Sequence, residues 1–216
     1  PVELLVRRLN DHDCDPVELR PDSPHGVSGL VEAMRSDNVS VVNSLGSRLV
    51  ESPILLAFLP HICRFFLKEE LKLPSVATWW CGQPDALKYV LEHLSDLVIR
   101  PAFRMADSAP IHPAESKPAE LELLRRELKD RPQDYVAQET VLRSTSPVHV
   151  QRQTRPWHLA LRAFMLARGQ THVAMPGGLA RVSPQSHVLD FTMTSGERAQ
   201  DVWVLAKHPI DDISLL

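Results

Sequence analysis

From residue 2 to residue 71, β-rich runs and helix-spaced apolar residues take turns, and this alternation restricts the fold more than any other feature of the chain. Val2 to Leu9 reads as a strand that closes in the acidic loop NDHDCDP. In HGVSGLVEAMRS, Val27, Leu30, Val31 and Met34 recur at helical spacing. NVSVVN at 38–43 is a second β-rich run, SLGS at 44–47 a turn, and Glu51 to Leu71 a helix. Pro60 predicts that this helix breaks into two pieces, because proline lacks one donor and its ring clashes with the preceding turn. Strands alternating with helices are the pattern of a parallel sheet with helical crossovers.

PSVATWWCGQP follows as a loop or short strand, and Pro84 opens a helix to about Leu94. SDLVIRPAF reads as a strand. Residues 105–118, MADSAPIHPAESKP, contain Pro110, Pro113 and Pro118 and are expected to form a mobile loop. Ala119 to Lys129 is amphipathic through Leu121, Leu124 and Leu128, and DYVAQETVL is a strand. In the last third, PWHLALRAFML, THVAMPGGLARV, SHVLDFTM and DVWVLA look like antiparallel strands, with ARGQ and PGG as turn signals. The expected fold is α+β with an α/β section: a β/α substrate-side section at 1–96, then a section at 97–216 that ends in an antiparallel sheet.

A chain of 216 residues has room for one large domain or two small ones. A net charge of −3 gives no bulk attraction to nucleic acid or to an anionic membrane, so any anion site must be local. Cys14, Cys63 and Cys81 are odd in number and form no CxxC, which argues against a disulfide framework or structural zinc and for a reducing cytoplasm. The longest apolar run, Pro53 to Leu67, is interrupted by Pro60, His61 and Arg64 and is too short to span a bilayer. A chain that opens directly on the strand-like PVELLVRRL is expected to be the later part of a longer protein.

Several side chains could carry chemistry. Arg100, directly after the apolar Leu97, Val98 and Ile99, suits either a phosphate or a surface ion pair. Gln138 and Glu139 close YVAQE, where an amide beside a carboxylate could read the edge of a purine or simply end an exposed edge strand. Arg162 interrupts an apolar alternation and must face water, an acid or an anionic ligand. Asp11, Asp13 and Asp15 beside Arg7, Arg8 and His12 form either an acid/base or metal cluster or a solvated loop. Their spacing begins like a calcium loop but lacks its glycine and final glutamate. SLGS stands where a substrate crevice forms at the carboxyl end of a parallel strand. Gly177 and Gly178 suit a tight turn, and Cys81 has no base near it in sequence and reads as structural.

Taken in order, RRLNDHDCDPVELRPDS, GVSGLVEAMRSDNVSVVNSLGS, ESPILLAFLPHICRFFL, LPSVATWWCGQP, LVIRPAF, YVAQE, LRAF, MPGGLARV and DVWVL resemble the later half of the circularly permuted ATP-grasp proteins of the type 2 class, relatives in fold of glutathionylspermidine synthase. The resemblance covers nearly the whole chain. It implies a bacterial ATP-grasp ligase in which two α+β lobes hold ATP in a cleft, a carboxylate is phosphorylated, and an amine attacks the acyl phosphate. LVIRPAF then matches the nucleotide strand, with Arg100 where the family commonly has lysine; YVAQE matches the strand beside adenine, with Gln138 and Glu139; and Arg162 matches an arginine near the phosphates. Arg8, Asp11, Asn43, Ser44, Gly46, Ser47 and Arg181 are expected to border a small-molecule or peptide substrate. Magnesium is expected to have its ligands outside this chain, so the chain alone should be inactive. The missing N-terminal half or a helical protein is the expected macromolecular partner.

Three departures from the family pattern keep a non-catalytic binding or scaffold module open as the alternative. FRMADSAP has no glycine where the family forms a phosphate lid. Asn10 and His12 replace acids. Gln200 stands where the family tends towards lysine.

Overall fold

The computed structural model describes residues 2–103, 109–169, 171–186 and 198–205. The chain forms two compact units, Pro1–Thr140 and Val141–Leu216. The division at 140/141 differs from the expected one at 96/97, and it leaves LVIRPAF and YVAQE together in the first unit.

In the first unit, β1 (Leu4–Val6) and β2 (Ser40–Val42) pair in parallel. The crossover between them contains α1 (Leu30–Arg35), so the β/α reading holds here. The loop SLGS follows β2 and leads into a 3₁₀ turn, Ser47–Glu51. Next, α2 (Ile54–Leu67) runs as one helix through Pro60, not as two. An interior proline costs about 3 kcal/mol, and packing offsets it: Phe58 meets Trp80 edge to face with ring centroids 6.0 Å apart, and Cys63 is buried.

The remaining strands of this unit are not parallel neighbours. β3 (Thr78–Trp80), β4 (Leu97–Pro101) and β5 (Tyr135–Glu139) form a sheet of order β3-β5-β4, with both outer strands antiparallel to β5. YVAQE is therefore the central strand, not an edge. Two connections allow this order: α3 (Pro84–Glu92) lies between β3 and β4, and α4 (Pro118–Asp130) between β4 and β5. Both helices open on a proline in the first turn, where its missing N–H has no intrahelical partner to lose. They bury Val90, Leu124 and Leu128, with Leu94 just beyond α3, against Leu97, Ile99 and Ala137 of the sheet. Each of these valine, leucine and isoleucine side chains contributes about 1.5–3 kcal/mol when fully buried.

The described part of the expected mobile loop, residues 109–118, is tied to the sheet edge. Ile111 exchanges two backbone hydrogen bonds with Ile99, at 2.9 and 2.8 Å, and Pro113 is buried. Residues 105–108 lie outside the described residues. The apolar Ile111 extends the sheet edge, which a tally of prolines does not reveal.

The second unit is an antiparallel meander, as expected: β6 (Thr145–Val150), β7 (Gln153–Arg168), β8 (Thr171–Ser183) and β9 (Arg198–Gln200). Gln151 and Arg152 make the first turn with φ of 50° and 62°, the two-positive geometry that matches strand twist. The turn expected at ARGQ follows Arg168, which pairs with Thr171, and Gly169 sits at φ 60°; Gln170 lies outside the described residues. PGG is not a turn. Ala163 pairs with Gly178 but Met165 pairs with Ala174, so β8 bulges through Met175, Pro176 and Gly177. Proline cannot donate to a ladder and so falls where the ladder is interrupted. Among the described residues the last strand is Arg198–Gln200, and residues 201–205 of the DVWVLA segment are not in a strand. SHVLDFTM lies, apart from Ser186, outside the described residues.

The bulge yields a test. A Cβ at Gly178 would stand 2.7 Å from the Arg162 carbonyl oxygen, and that atom is backbone and cannot swing away. Gly178→Ala is expected to lose about 1–3 kcal/mol through overpacking, read as a lower urea midpoint. An unchanged midpoint would show that the strands separate there at no cost.

Candidate functional site

Side chains alternate along a strand, and directly paired residues of an antiparallel ladder share a face. Ile99 and Ala137 are paired and face α3 and α4, so the neighbouring pairs face the other way. That opposite face carries Thr78, Gln138 and Val98 in one row and Trp80, Val136 and Arg100 in the next. Arg100 and Gln138, thirty-eight residues apart in sequence, thus become diagonal neighbours. Arg100 is half-buried and has interacting partners. Gln138 is 6% exposed, and its Nε2 donates to Thr78 Oγ1 at 3.2 Å.

Glu139 turns to the other face. It is exposed, and its Oε1 accepts the Ala77 N–H at 2.9 Å. The two residues read together in YVAQE therefore do not act side by side. Arg100 and Gln138 form one set, and Glu139 anchors the approach to β3.

In the second unit the register gathers another pair. Arg162 pairs with Leu179 and Ala160 with Arg181, which places both arginines on one face of the β7–β8 ladder. Arg162 is exposed, whereas Arg181 is 7% exposed and has interacting partners. Gln200 is held at the other edge of the sheet. It accepts from Ser146 Oγ at 2.8 Å through Oε1, and it donates to the Pro147 carbonyl at 3.2 Å through Nε2. Outer strands β6 and β9 can meet in this way only because the sheet curls.

The loops after β1 and β2 bring most of the expected substrate-side residues together, but around Arg7, which the sequence places in the acidic cluster and not among the substrate-side residues. Arg8 is exposed; Arg7 is 8% exposed. The Arg7 guanidinium donates to the Asn43 carbonyl (2.5 Å), the Ser44 carbonyl (3.1 Å), Ser47 Oγ (2.6 Å) and the Leu9 carbonyl (2.5 Å). It also pairs with Asp11 Oδ1 at 2.6 Å. Asn43 Nδ2 returns a bond to the Arg7 carbonyl, and Asp11 Oδ2 accepts the Gly46 N–H at 2.8 Å. Asp11, Asn43, Ser44, Gly46 and Ser47 thus surround Arg7. The missed signal was alternation: Leu5 and Arg7 fall on one side of β1, and Leu4, Val6 and Arg8 on the other.

Next to this knot, Arg48 donates to His12 Nδ1 at 2.6 Å, and His12 Nε2 lies 3.3 Å from Asp13. Asp15 is fully buried. Its carboxylate accepts the backbone N–H groups of Val31 (3.0 Å), Val17 (2.9 Å) and Gly29 (3.2 Å). These bonds, Val31 first, outweigh desolvation and hold its carboxyl below the usual carboxylate range. Burial pushes the Cys81 thiol up to about 11, so it stays neutral and unreactive at neutral pH. Among the described residues no three His, Cys, Asp or Glu side chains converge as metal ligands. No helix among them is long and apolar enough to cross a membrane.

Mixed helix and antiparallel sheet, with cations gathered on sheet faces, is a frame compatible with ATP-grasp architecture. Residues 1–183 match the family described as circularly permuted ATP-grasp type 2, and the chain belongs to that family. It is 32% identical over 204 residues to an uncharacterized protein of Synechocystis sp., covering 94% of this chain and 42% of that protein. It is 29% identical over 205 residues to an uncharacterized protein of Mycobacterium tuberculosis, covering 95% and 37%. A Frankia alni protein named "Putative glutamate--cysteine ligase 2-3" is 28% identical over 203 residues, covering 94% and 23%. The chain thus spans less than half the length of these relatives.

The Asp15 environment predicts a pH dependence. A carboxyl whose folded pKa is depressed contributes stability above its unfolded value, about 3.9, and that contribution disappears as pH falls through the folded value. The stability gap between the natural chain and Asp15→Asn is expected to be constant above about pH 5 and to shrink below about pH 4. Urea midpoints at stepped pH measure it. A gap that widens in acid would contradict the capping role.

Proposed function

We propose that this chain is the later part of an ATP-dependent carboxylate–amine ligase of the ATP-grasp superfamily, one that forms an amide or peptide-like bond in the cytoplasm. The family match over residues 1–183 carries the reading. The ligase name of the Frankia relative supports the reaction class. The shared face of Arg100 and Gln138 supports a nucleotide site in the first unit.

Arg100 would hold phosphate oxygens, since a guanidinium can donate to two oxygens of one phosphate at once. Gln138 would meet the adenine edge, with Glu139 fixing the strand end beside it. Arg162, with Arg181 on the same face, would offset charge on a phosphate. The loop knot around Arg7 would present Asp11, Asn43, Ser44, Gly46 and Ser47 to the acyl substrate, a small molecule or peptide, at the carboxyl ends of two parallel strands. Among the described residues no three His, Cys, Asp or Glu side chains converge to fit a magnesium ion; its ligands would come from the rest of the longer protein.

One observation favours a second reading, a non-catalytic binding or scaffold module. Gln200, where the family tends towards lysine, is bonded to Ser146 and Pro147 and carries no charge.

Calorimetry with ATP and magnesium, run beside a phosphate-release assay, separates the readings. The 216-residue chain is expected to bind ATP weakly and not to turn it over. Arg100→Ala is expected to weaken that binding by about 1.5–3 kcal/mol, the size of a hydrogen bond to a charged group. Rapid hydrolysis by this chain alone would overturn the assignment of catalytic parts to a longer protein. Unchanged affinity in the variant would remove Arg100 from the site.

A further inference from the structure

Gln138 is oriented by a residue outside its own strand. Its Nε2 donates to Thr78 Oγ1 at 3.2 Å, and the Thr78 hydroxyl donates in turn to the Val76 carbonyl at 3.0 Å. Thr78 and Gln138 are direct partners in the β3–β5 ladder, so the contact is built into the register. A hydroxyl has one proton. With that proton committed to Val76, Oγ1 offers Gln138 only lone pairs. The amide must turn its NH₂ towards Thr78 and its carbonyl Oε1 away.

This order decides what Gln138 can recognise. A carboxamide that flips freely presents a donor or an acceptor with equal ease. One fixed by Thr78 presents an acceptor. An acceptor matches the exocyclic amine of adenine and opposes the carbonyl oxygen that guanine carries at the same ring position. A mismatched polar pair in a buried site loses a hydrogen bond and leaves groups unsatisfied.

We propose that Thr78 is a positioning residue that locks the Gln138 amide with Oε1 turned away from Thr78, and that this lock makes the site select ATP over GTP. The inference rests on the nucleotide reading of the Arg100–Gln138 face. Thr78 touches no substrate; it acts through Gln138. The discrimination is expected to be about tenfold, equivalent to one hydrogen bond lost.

NMR titration of the ¹⁵N-labelled chain tests this, using the Gln138 side-chain NH₂ signals and the Trp80 indole signal. Trp80 lies on the same sheet face as Gln138. ATP and GTP are the probes, with inorganic triphosphate as a base-free control. The natural chain is expected to bind ATP about tenfold more tightly than GTP. Thr78→Val keeps the β-branched shape but removes the hydroxyl, and the ratio should fall to about one to three, with triphosphate binding unchanged. Thr78→Ser, which restores the hydroxyl, should recover the ratio. Equal binding of the two nucleotides by the natural chain, or full discrimination by Thr78→Val, would overturn the inference and leave the nucleotide reading standing. Signals unmoved by either nucleotide would overturn the nucleotide reading and the inference with it.

Discussion

The pairing of Ile99 with Ala137, on the helix-covered face of the three-stranded sheet, is the contact on which the proposed nucleotide site depends. Both residues are completely buried. Because strand side chains have a period of two, placing Ile99 against the helices turns Arg100 to the opposite face of the sheet, and placing Ala137 there does the same for Gln138. A slip of one residue would send a guanidinium among Val90, Leu124 and Leu128 and expose the isoleucine. Burying an unpaired charge costs several kcal/mol, far more than the slip could return. The apolar core therefore sets the geometry of the polar face.

A second constraint governs the other end of the first unit. Two parallel three-residue strands are a small sheet, and the loops that leave them are long. The Arg7 guanidinium ties those loops together through Leu9, Asp11, Asn43, Ser44 and Ser47. Asp15 does the same for the segment ahead of α1 by collecting backbone donors. Both side chains are buried ions with their bonds satisfied, the condition under which a charge is tolerated inside a fold. They hold loop shape.

Much of this was legible in the sequence. Pro84 and Pro118 mark the starts of α3 and α4 because their cost at a first turn is small. The leucines at 121, 124 and 128 show the buried stripe. Strand alternation already separated Ile99 from Arg100. Contacts distant in sequence were not legible. The edge-to-face contact of Phe58 with Trp80 helps keep α2 whole through Pro60, and neither residue announces the other. The place of β5 between β3 and β4 follows from chain crossings rather than from YVAQE itself, so an edge reading was natural and incorrect. Pro176, Gly177 and Gly178 carry the composition of a turn, but the Arg162 carbonyl opposite makes them a bulge. Arg7 and Arg8 are adjacent and chemically alike, and only burial separates them.

The central claim is that the face shared by Arg100 and Gln138 receives a nucleotide base. Photolabelling with 8-azido-ATP, followed by mass-spectrometric mapping of the modified peptides, addresses it directly. The account predicts labels on the peptides that carry Thr78–Trp80 and Tyr135–Glu139, reduced by competing ATP. Labels confined to the β6–β9 sheet, or to the loops around Arg7, would contradict it.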